Sequence, residues 1–457
     1  MKPRSIPILV VLAVQALHLA SAQEITLKLA TDRPDAIYPL GAEVVFTIGF
    51  ACDPASVRDA PRDPLDDRVI LPDFFLDAVI EGDGGLKRTE KLKAGAENRL
   101  TVKGESPGWI RLTLTVRDAA GAEIQNVKGH RWIGAMVAPE LLRAAQEEPE
   151  DFDAFWTAVR REVDAVPLQA VATPATNLPP AAAVVCYDVQ VPCAGGQPVS
   201  GYLALPTNAA PKSLPIVISF HGAGVRSASQ PLAMAAAGAR SRGAIAFDVN
   251  AHGLPNGRPP EFYQTIEKTA LNNYPGQGKA SRDTFYFKGM YMRVLRALAY
   301  AKTRPEWDGR TLLVYGGSQG GAQTMAAAAL DPDVSFCLVT VPALCDHAGS
   351  LATPRRRPGW PQLYWADAGG RVPEADTAVM RTAAYYDGVF FARRIRCEAF
   401  FATGFTDNVC PPSGVYAAFN ALPAGTRKAM TTNPVYGHNA TNDKGSQRLR
   451  EILAQGQ

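Results

Sequence analysis

Leu312-Leu313-Val314-Tyr315-Gly316-Gly317-Ser318-Gln319-Gly320-Gly321 reads as an apolar strand, a tight turn of small residues and the start of a helix that continues through Ala322-Gln323-Thr324-Met325. A serine at such a turn sits in strained backbone and projects beyond the end of its strand. Glycines on either side let neighbouring backbone pass where a Cβ would collide. The strand before and the helix after separate this Gly-x-Ser-x-Gly from an ordinary turn. Ser318 is therefore the candidate nucleophile.

A serine hydroxyl needs an imidazole to take its proton, and a carboxylate to hold that imidazole in the right tautomer. Where the serine occupies a strand-to-helix turn, the chain order is serine, acid, histidine. Asp407 follows the apolar run Ala399-Phe400-Phe401-Ala402-Thr403, in the loop Gly404-Phe405-Thr406-Asp407-Asn408-Val409-Cys410-Pro411-Pro412, and is the candidate acid. Asp346, after the preceding strand-like run, is the competing acid. Of the six histidines, His438 in Tyr436-Gly437-His438-Asn439 lies after the last strand-like run and before the terminal helix, where the general base belongs. An oxyanion needs two backbone N–H donors. Gln319 supplies one, and Ala223 in His221-Gly222-Ala223-Gly224 supplies the other, with His221 itself read as a structural loop residue.

Outward from the serine, strand-like runs near Val199–Leu205, Pro215–Phe220, Ala244–Val249, Thr311–Tyr315, Val334–Val341 and Ala399–Thr403 alternate with helical stretches such as Thr284–Lys302. This is the pattern of a mostly parallel sheet with helices on both faces. The fold class is α/β, an α/β-hydrolase catalytic domain spanning 183–457. Before it, residues 23–137 alternate apolar and polar residues between turn clusters, predicting a small all-β sandwich of the immunoglobulin-like kind. Residues 138–182 hold a lead-in helix, with Phe152, Phe155, Trp156 and Val159 on one face, and then a connector from 168 to 182.

At 457 residues the chain is long enough for two domains, and 47% hydrophobic with 20% charged residues is an ordinary globular composition. Lys2 and Arg4 precede an apolar run from Ile6 to Leu19 that ends in Ala20-Ser21-Ala22, so residues 1–22 read as a signal peptide of a secreted or periplasmic protein. The run is too short to span a membrane. Gln23 rather than cysteine follows, which speaks against a lipid anchor. Without Lys2 and Arg4, 45 basic side chains face 44 acidic ones, a balance that argues against a nucleic-acid partner. Arg355-Arg356-Arg357 reads as a solvated loop.

Seven cysteines leave at least one thiol unpaired within the chain, and Cys337, Cys345 and Cys397 sit in or beside apolar runs as small core residues. No Cys-x-x-Cys pair or His-Glu-x-x-His occurs, so no metal site is expected, and the chemistry calls for no cofactor. Asn439-Ala440-Thr441 is read as a chance sequon.

The chain resembles the acetyl xylan esterase and cephalosporin-C deacetylase family of carbohydrate esterases. The resemblance rests on Gly316 to Gly321, on Tyr385-Tyr386-Asp387, on Asp407 to Pro412 and on Gly437-His438, with Asp151 to Trp156 matching the family's lead-in helix. It implies removal of acetyl groups from small sugars or xylan oligomers, with Ser318, Asp407 and His438 as triad and Gln319 and Ala223 as oxyanion donors. It also implies a ring-like homo-oligomer. Two positions depart from the family: Ala223 replaces a tyrosine, and Asn250-Ala251-His252 replaces Arg-Gly-Gln, while Asp248 and Gly253 fit. A prolyl-oligopeptidase-like peptidase would share the triad order, but glutamine rather than tyrosine follows the serine. A dienelactone hydrolase would carry cysteine at 318. From another class, a catalytically inactive carbohydrate-binding protein would lack one of the three residue types present here.

Overall fold

Alternating burial runs through the N-terminal segment of the computed structural model, which describes residues 25–53, 73–95, 97–176, 183–238, 243–367 and 369–454. The expected signal peptide, 1–22, lies outside the described residues. Two sheets form here. Their strands are β1 (Ile25–Thr31), β2 (Ile37–Tyr38), β3 (Glu43–Cys52), β4 (Phe75–Gly82), β5 (Lys87–Lys93), β6 (Glu97–Lys103), β7 (Gly108–Arg117), β8 (Val127–Gly129) and β9 (Trp132–Val137). One sheet runs β6-β3-β1-β8 and the other β2-β9-β7-β4-β5.

Successive side chains of a strand point to opposite faces. Leu112, Leu114 and Val116 of β7 therefore go inward with Leu76, Ala78 and Ile80 of β4, and meet Val44, Phe46 and Ile48 of β3 in one buried cluster. Burying each large apolar side chain contributes about 1.5–3 kcal/mol. Phe405 and Tyr416, almost three hundred residues further along the chain, complete the same cluster.

Helix α1 (Phe152–Asp164) follows and buries Phe152, Phe155, Trp156, Val159 and Val163 along one stripe. The stripe packs on Tyr385, Tyr386 and Phe391. At the end of the helix Arg296 donates to the carbonyls of Val163 and Val166, satisfying groups that a helix end leaves bare. The connector expected over 168–182 is partly strand: β10 (Val171–Pro174) adds an exposed antiparallel edge to β11 (Val184–Val191).

The remaining elements are β12 (Val199–Pro206), β13 (Leu214–Phe220), α2 (Gln230–Ala237), β14 (Ile245–Asn250), α3 (Pro260–Lys268), α4 (Tyr286–Ala301), β15 (Trp307–Gly317), α5 (Gln319–Leu330), β16 (Phe336–Thr340), α6 (Thr377–Ala384), α7 (Gly388–Ala392), β17 (Glu398–Gly404), α8 (Pro412–Ala421), β18 (Lys428–Asn433) and α9 (Asp443–Ala454). The sheet order is β10-β11-β12-β14-β13-β15-β16-β17-β18. It is parallel from β14 through β18 and antiparallel from β10 to β12 and where β12 meets β14.

Both faces of this sheet are covered, so its strands read as continuous apolar runs. Ile216, Ile218, Leu312 and Val314 face the cluster holding α4 and α5, while Val217, Leu313, Phe336 and Leu338 pack on Leu449, Ile452 and Leu453 of α9. The chain leaves β13 to one side for β14 and then crosses to β15 on the other. Open sheets bind ligands at such a switch point, beyond the strands' carboxyl ends, and the turns after β13 and β15 meet there. No described helix is long and apolar enough to cross a membrane.

Candidate active site

Ser318 stands between β15 and α5 with φ 57° and ψ −123°, a conformation costly for any residue with a side chain. Its backbone N–H donates to Thr340 O (2.9 Å), and its carbonyl accepts from Ala343 N (3.0 Å) and Ala322 N (3.1 Å), so strand, helix and neighbouring loop fix the strained turn. The glycines are required by space. A Cβ at Gly320 would fall 2.0 Å from Phe220 O, and one at Gly316 would lie 2.5 Å from the Gly320 carbonyl. The turn is thus pressed against the end of β13.

His438 lies in the loop after β18 and Asp407 in the loop after β17. Asp407 is fully buried, and its Oδ1 accepts from Val409 N (2.8 Å) and Cys410 N (2.9 Å). Its Oδ2 accepts from His438 Nδ1 (2.8 Å), which places the imidazole proton on Nδ1 and leaves Nε2 to accept from Ser318 Oγ (2.9 Å). Ser318, His438 and Asp407 form one continuous hydrogen-bonded line. Such a line can draw the serine proton onto His438 while the carboxylate faces the resulting positive charge.

Asp346, the competing acid, has other partners. It is buried in a charge pair with Arg356 (2.7 Å) and accepts from Ala145 N (2.9 Å), while His438 Nδ1 pairs with Asp407. The same pair corrects the reading of Arg355-Arg356-Arg357 as a solvated loop. Arg356 is buried because Asp346 neutralises it, while Arg355 and Arg357 line a cleft of about 530 Å³ with Glu81, Lys87, Trp109 and Trp365.

Of the two expected oxyanion donors, Gln319 is buried at the start of α5 and Ala223 is exposed in the loop after β13. A Cβ on the adjacent Gly222 would come within 3.7 Å of the Ser318 Cβ, so this loop rests against the serine. His221 does not approach Ser318 in its bonding. Its Nε2 accepts from Ala251 N (3.0 Å), its Nδ1 donates to Gly222 O (2.7 Å), and burial pulls its pKa down to about 4.

Composition and spacing gave no sign of the layer beneath this loop. His252 Nδ1 accepts from Tyr286 OH (2.7 Å) and its Nε2 donates to Gly224 O (3.3 Å), with burial pulling its pKa down to about 3. Tyr274 OH donates to Gln319 Oε1 (2.6 Å) and lies 3.5 Å from Gly224 N. Arg293 donates twice to Ala251 O (3.0 and 2.8 Å). Asn250-Ala251-His252 is therefore a bonded support of the loop carrying Ala223. Cys410 is also buried beside the site, and desolvation lifts its thiol well above the usual range, which suits packing rather than nucleophilic attack.

The acetyl xylan esterase (AXE1) family model matches residues 140–454. This chain belongs to the acetyl xylan esterase family. Within the family's reach, acetyl esterase Axe7A of Xylanibacter ruminicola is 34% identical over 343 residues, covering 74% of this chain and 72% of that protein. The acetyl xylan esterase of Paenibacillus sp. R4 superposes with a TM-score of 0.55 at 26% identity, covering 69% of this chain and 98% of its own. Acetyl xylan esterase 1 of Thermoanaerobacterium sp. JW/SL YS485 shares the fold, with a TM-score of 0.54 at 23% identity over 69% of this chain and 97% of its own. The acetyl xylan esterase family places this chain among the carboxylic ester hydrolases. Its match begins at residue 140, so the two N-terminal sheets precede it.

Proposed function

We propose that this protein is an exported serine esterase that removes acetyl groups from acetylated sugars or xylan oligomers. Ser318 Oγ attacks the ester carbonyl as His438 Nε2 takes its proton. The oxyanion is received by the backbone N–H groups of Gln319 and Ala223. Collapse expels the sugar hydroxyl, protonated by His438, and leaves an acetyl group on Ser318. Water, deprotonated by the same imidazole, then releases acetate and restores the serine. Asp407 keeps the His438 proton on Nδ1 throughout and faces the imidazolium. In this reading residues 23–137 are an immunoglobulin-like sandwich domain, 138–182 a lead-in helix and linker, and 183–457 the catalytic domain.

The observation that carries the reading is the unbroken line Ser318–His438–Asp407 at 2.9 and 2.8 Å, ending on a serine whose backbone is held in a strained conformation. Axe7A and the Paenibacillus esterase support acetyl esters as the substrate class. The test is acetate release from acetylated xylan, acetylated xylo-oligomers, glucose pentaacetate and cephalosporin C, with the full-length protein and with Ser318→Ala. Release from at least one carbohydrate acetate, lost by several orders of magnitude in Ser318→Ala, is expected. Equal rates for the two proteins would overturn the proposal.

A further inference from the structure

The acid loop is held from outside the catalytic sheet. Trp109 Nε1, on β7 of the N-terminal unit, donates to Phe405 O (2.5 Å), and Arg111 Nη1, two residues along the same strand, donates to Thr406 O (3.2 Å). These are the two carbonyls that immediately precede Asp407. Gly134 on β9 donates through its N–H to Pro434 O (2.7 Å), four residues before His438. A Cβ at Gly134 would lie 2.1 Å from Phe405 O, so β9 and the acid loop touch backbone to backbone.

The acid and histidine loops are in turn bonded to each other. Phe405 N donates to Asn433 O (2.8 Å) and Thr406 N to Tyr436 O (3.1 Å). A Cβ at Gly404 would meet the Gly437 and Tyr436 carbonyls at 2.3 Å. The Phe405 ring is fully buried within the core of the N-terminal unit, and His130 meets the Tyr436 ring edge-on at 5.5 Å. Arg111 is itself fixed, because it pairs with Glu81 and its guanidinium lies over the Trp109 ring at 5.4 Å.

We infer that the N-terminal unit is part of the catalytic apparatus, with Trp109 and Arg111 as positioning residues that hold the Asp407 carboxylate against His438. This rests on the proposed triad. Neither side chain touches substrate or the reacting atoms; each fixes a carbonyl one or two residues before Asp407, in a loop with no strand or helix of its own. Without these donors the carbonyls turn toward other partners and the carboxylate shifts. A displacement of about 1 Å in such a constellation costs on the order of 100-fold in rate.

The experiment uses the full chain carrying Trp109→Phe, which keeps the ring and removes the N–H, and Arg111→Met, which keeps the stem and removes the donor. Each is made alone and combined with Asp407→Asn, and p-nitrophenyl acetate turnover is measured below each protein's melting temperature. Both single variants are expected to lose about tenfold or more in kcat with KM changed less than about twofold, and to have little further effect on Asp407→Asn, since coupled residues are non-additive. A kcat within twofold of the parent for both variants overturns the inference. So does the same fold-loss with and without Asp407→Asn, which marks a general loss of folded protein. Failure of the triad reading looks different: Asp407→Asn by itself would then leave turnover intact.

Discussion

Asp407→Asn separates a triad carboxylate from a buried loop aspartate, and the geometry gives the size of its effect. Oδ1 is surrounded by two N–H donors, Val409 and Cys410, and only an oxygen suits that position. Turning the amide the other way would forfeit both bonds and leave two buried N–H donors unpaired, at about 1–3 kcal/mol each. The new NH₂ group therefore takes the place of Oδ2 and faces His438 Nδ1. That nitrogen can pair with it only by giving up its own proton, which moves to Nε2 and points at Ser318 Oγ, so the base can no longer accept.

The productive tautomer loses its counter-charge as well. At the 2.8 Å separation and an effective dielectric constant of about 20, imidazolium and carboxylate attract by about 6 kcal/mol. At about 1.4 kcal/mol per factor of ten, kcat should fall on the order of 10,000-fold, as such a swap does in other Ser-His-Asp triads. The assay is p-nitrophenyl acetate turnover beside near-ultraviolet circular dichroism, which reports intact packing. A folded Asp407→Asn protein with kcat within about tenfold of the parent would exclude Asp407 as the triad acid.

Asp346→Asn gives the opposite pattern: breaking its buried pair with Arg356 should cost about 3–5 kcal/mol in urea unfolding, while the kcat of the folded protein stays near the parent's. Gly320→Ala should lose about 3 kcal/mol or more in the same unfolding assay, together with turnover, because its Cβ would fall 2.0 Å from Phe220 O. Three buried histidines should each lower stability in mild acid. Burial holds His221, His252 and His347 neutral, with pKa values pulled down to about 4, 3 and 4 from 6.5. At these three sites the unfolded chain binds more protons than the folded one below about pH 6.5, so each histidine lowers stability by about 1.4 kcal/mol per pH unit as pH drops toward 4, while Asp83 and Asp387, raised by burial to about 6 and 7, act in the opposite direction. Neither ring nitrogen of His347 has a hydrogen-bond partner among the described residues, so His347→Leu should flatten the decline of melting temperature between pH 6.5 and 4, and an unchanged slope would contradict this.

The serine turn was legible because its constraints are local. A strained residue, glycines where backbone must pass and a helix start all fall within ten residues, and each leaves its own mark in residue type. Chain order then pointed to Asp407 and His438, which the fold brings together from two further loops. The supports of the loop carrying Ala223 were not legible from spacing, since His252, Tyr274, Tyr286 and Arg293 come from segments with no shared spacing and are joined only by packing. The links from Trp109 and Arg111 were hidden for a related reason: they end on backbone carbonyls, which every residue has. Arg111 lies between the inward Ile110 and Leu112 of β7, and its residue type alone gives no sign of the loop that accepts its hydrogen bond. Arg356 misled in the same way, because a buried arginine is told from an exposed one by its partner, and Asp346 is ten residues away.

Ester hydrolysis through Ser318 can be trapped covalently. Incubation of the full-length protein with a fluorophosphonate, followed by peptide mapping, tests it most directly. One label per chain is expected, on the peptide containing Ser318, with esterase activity lost in proportion to labelling and neither labelling nor activity in Ser318→Ala. A label on another residue, or full activity in a protein labelled at Ser318, would contradict it.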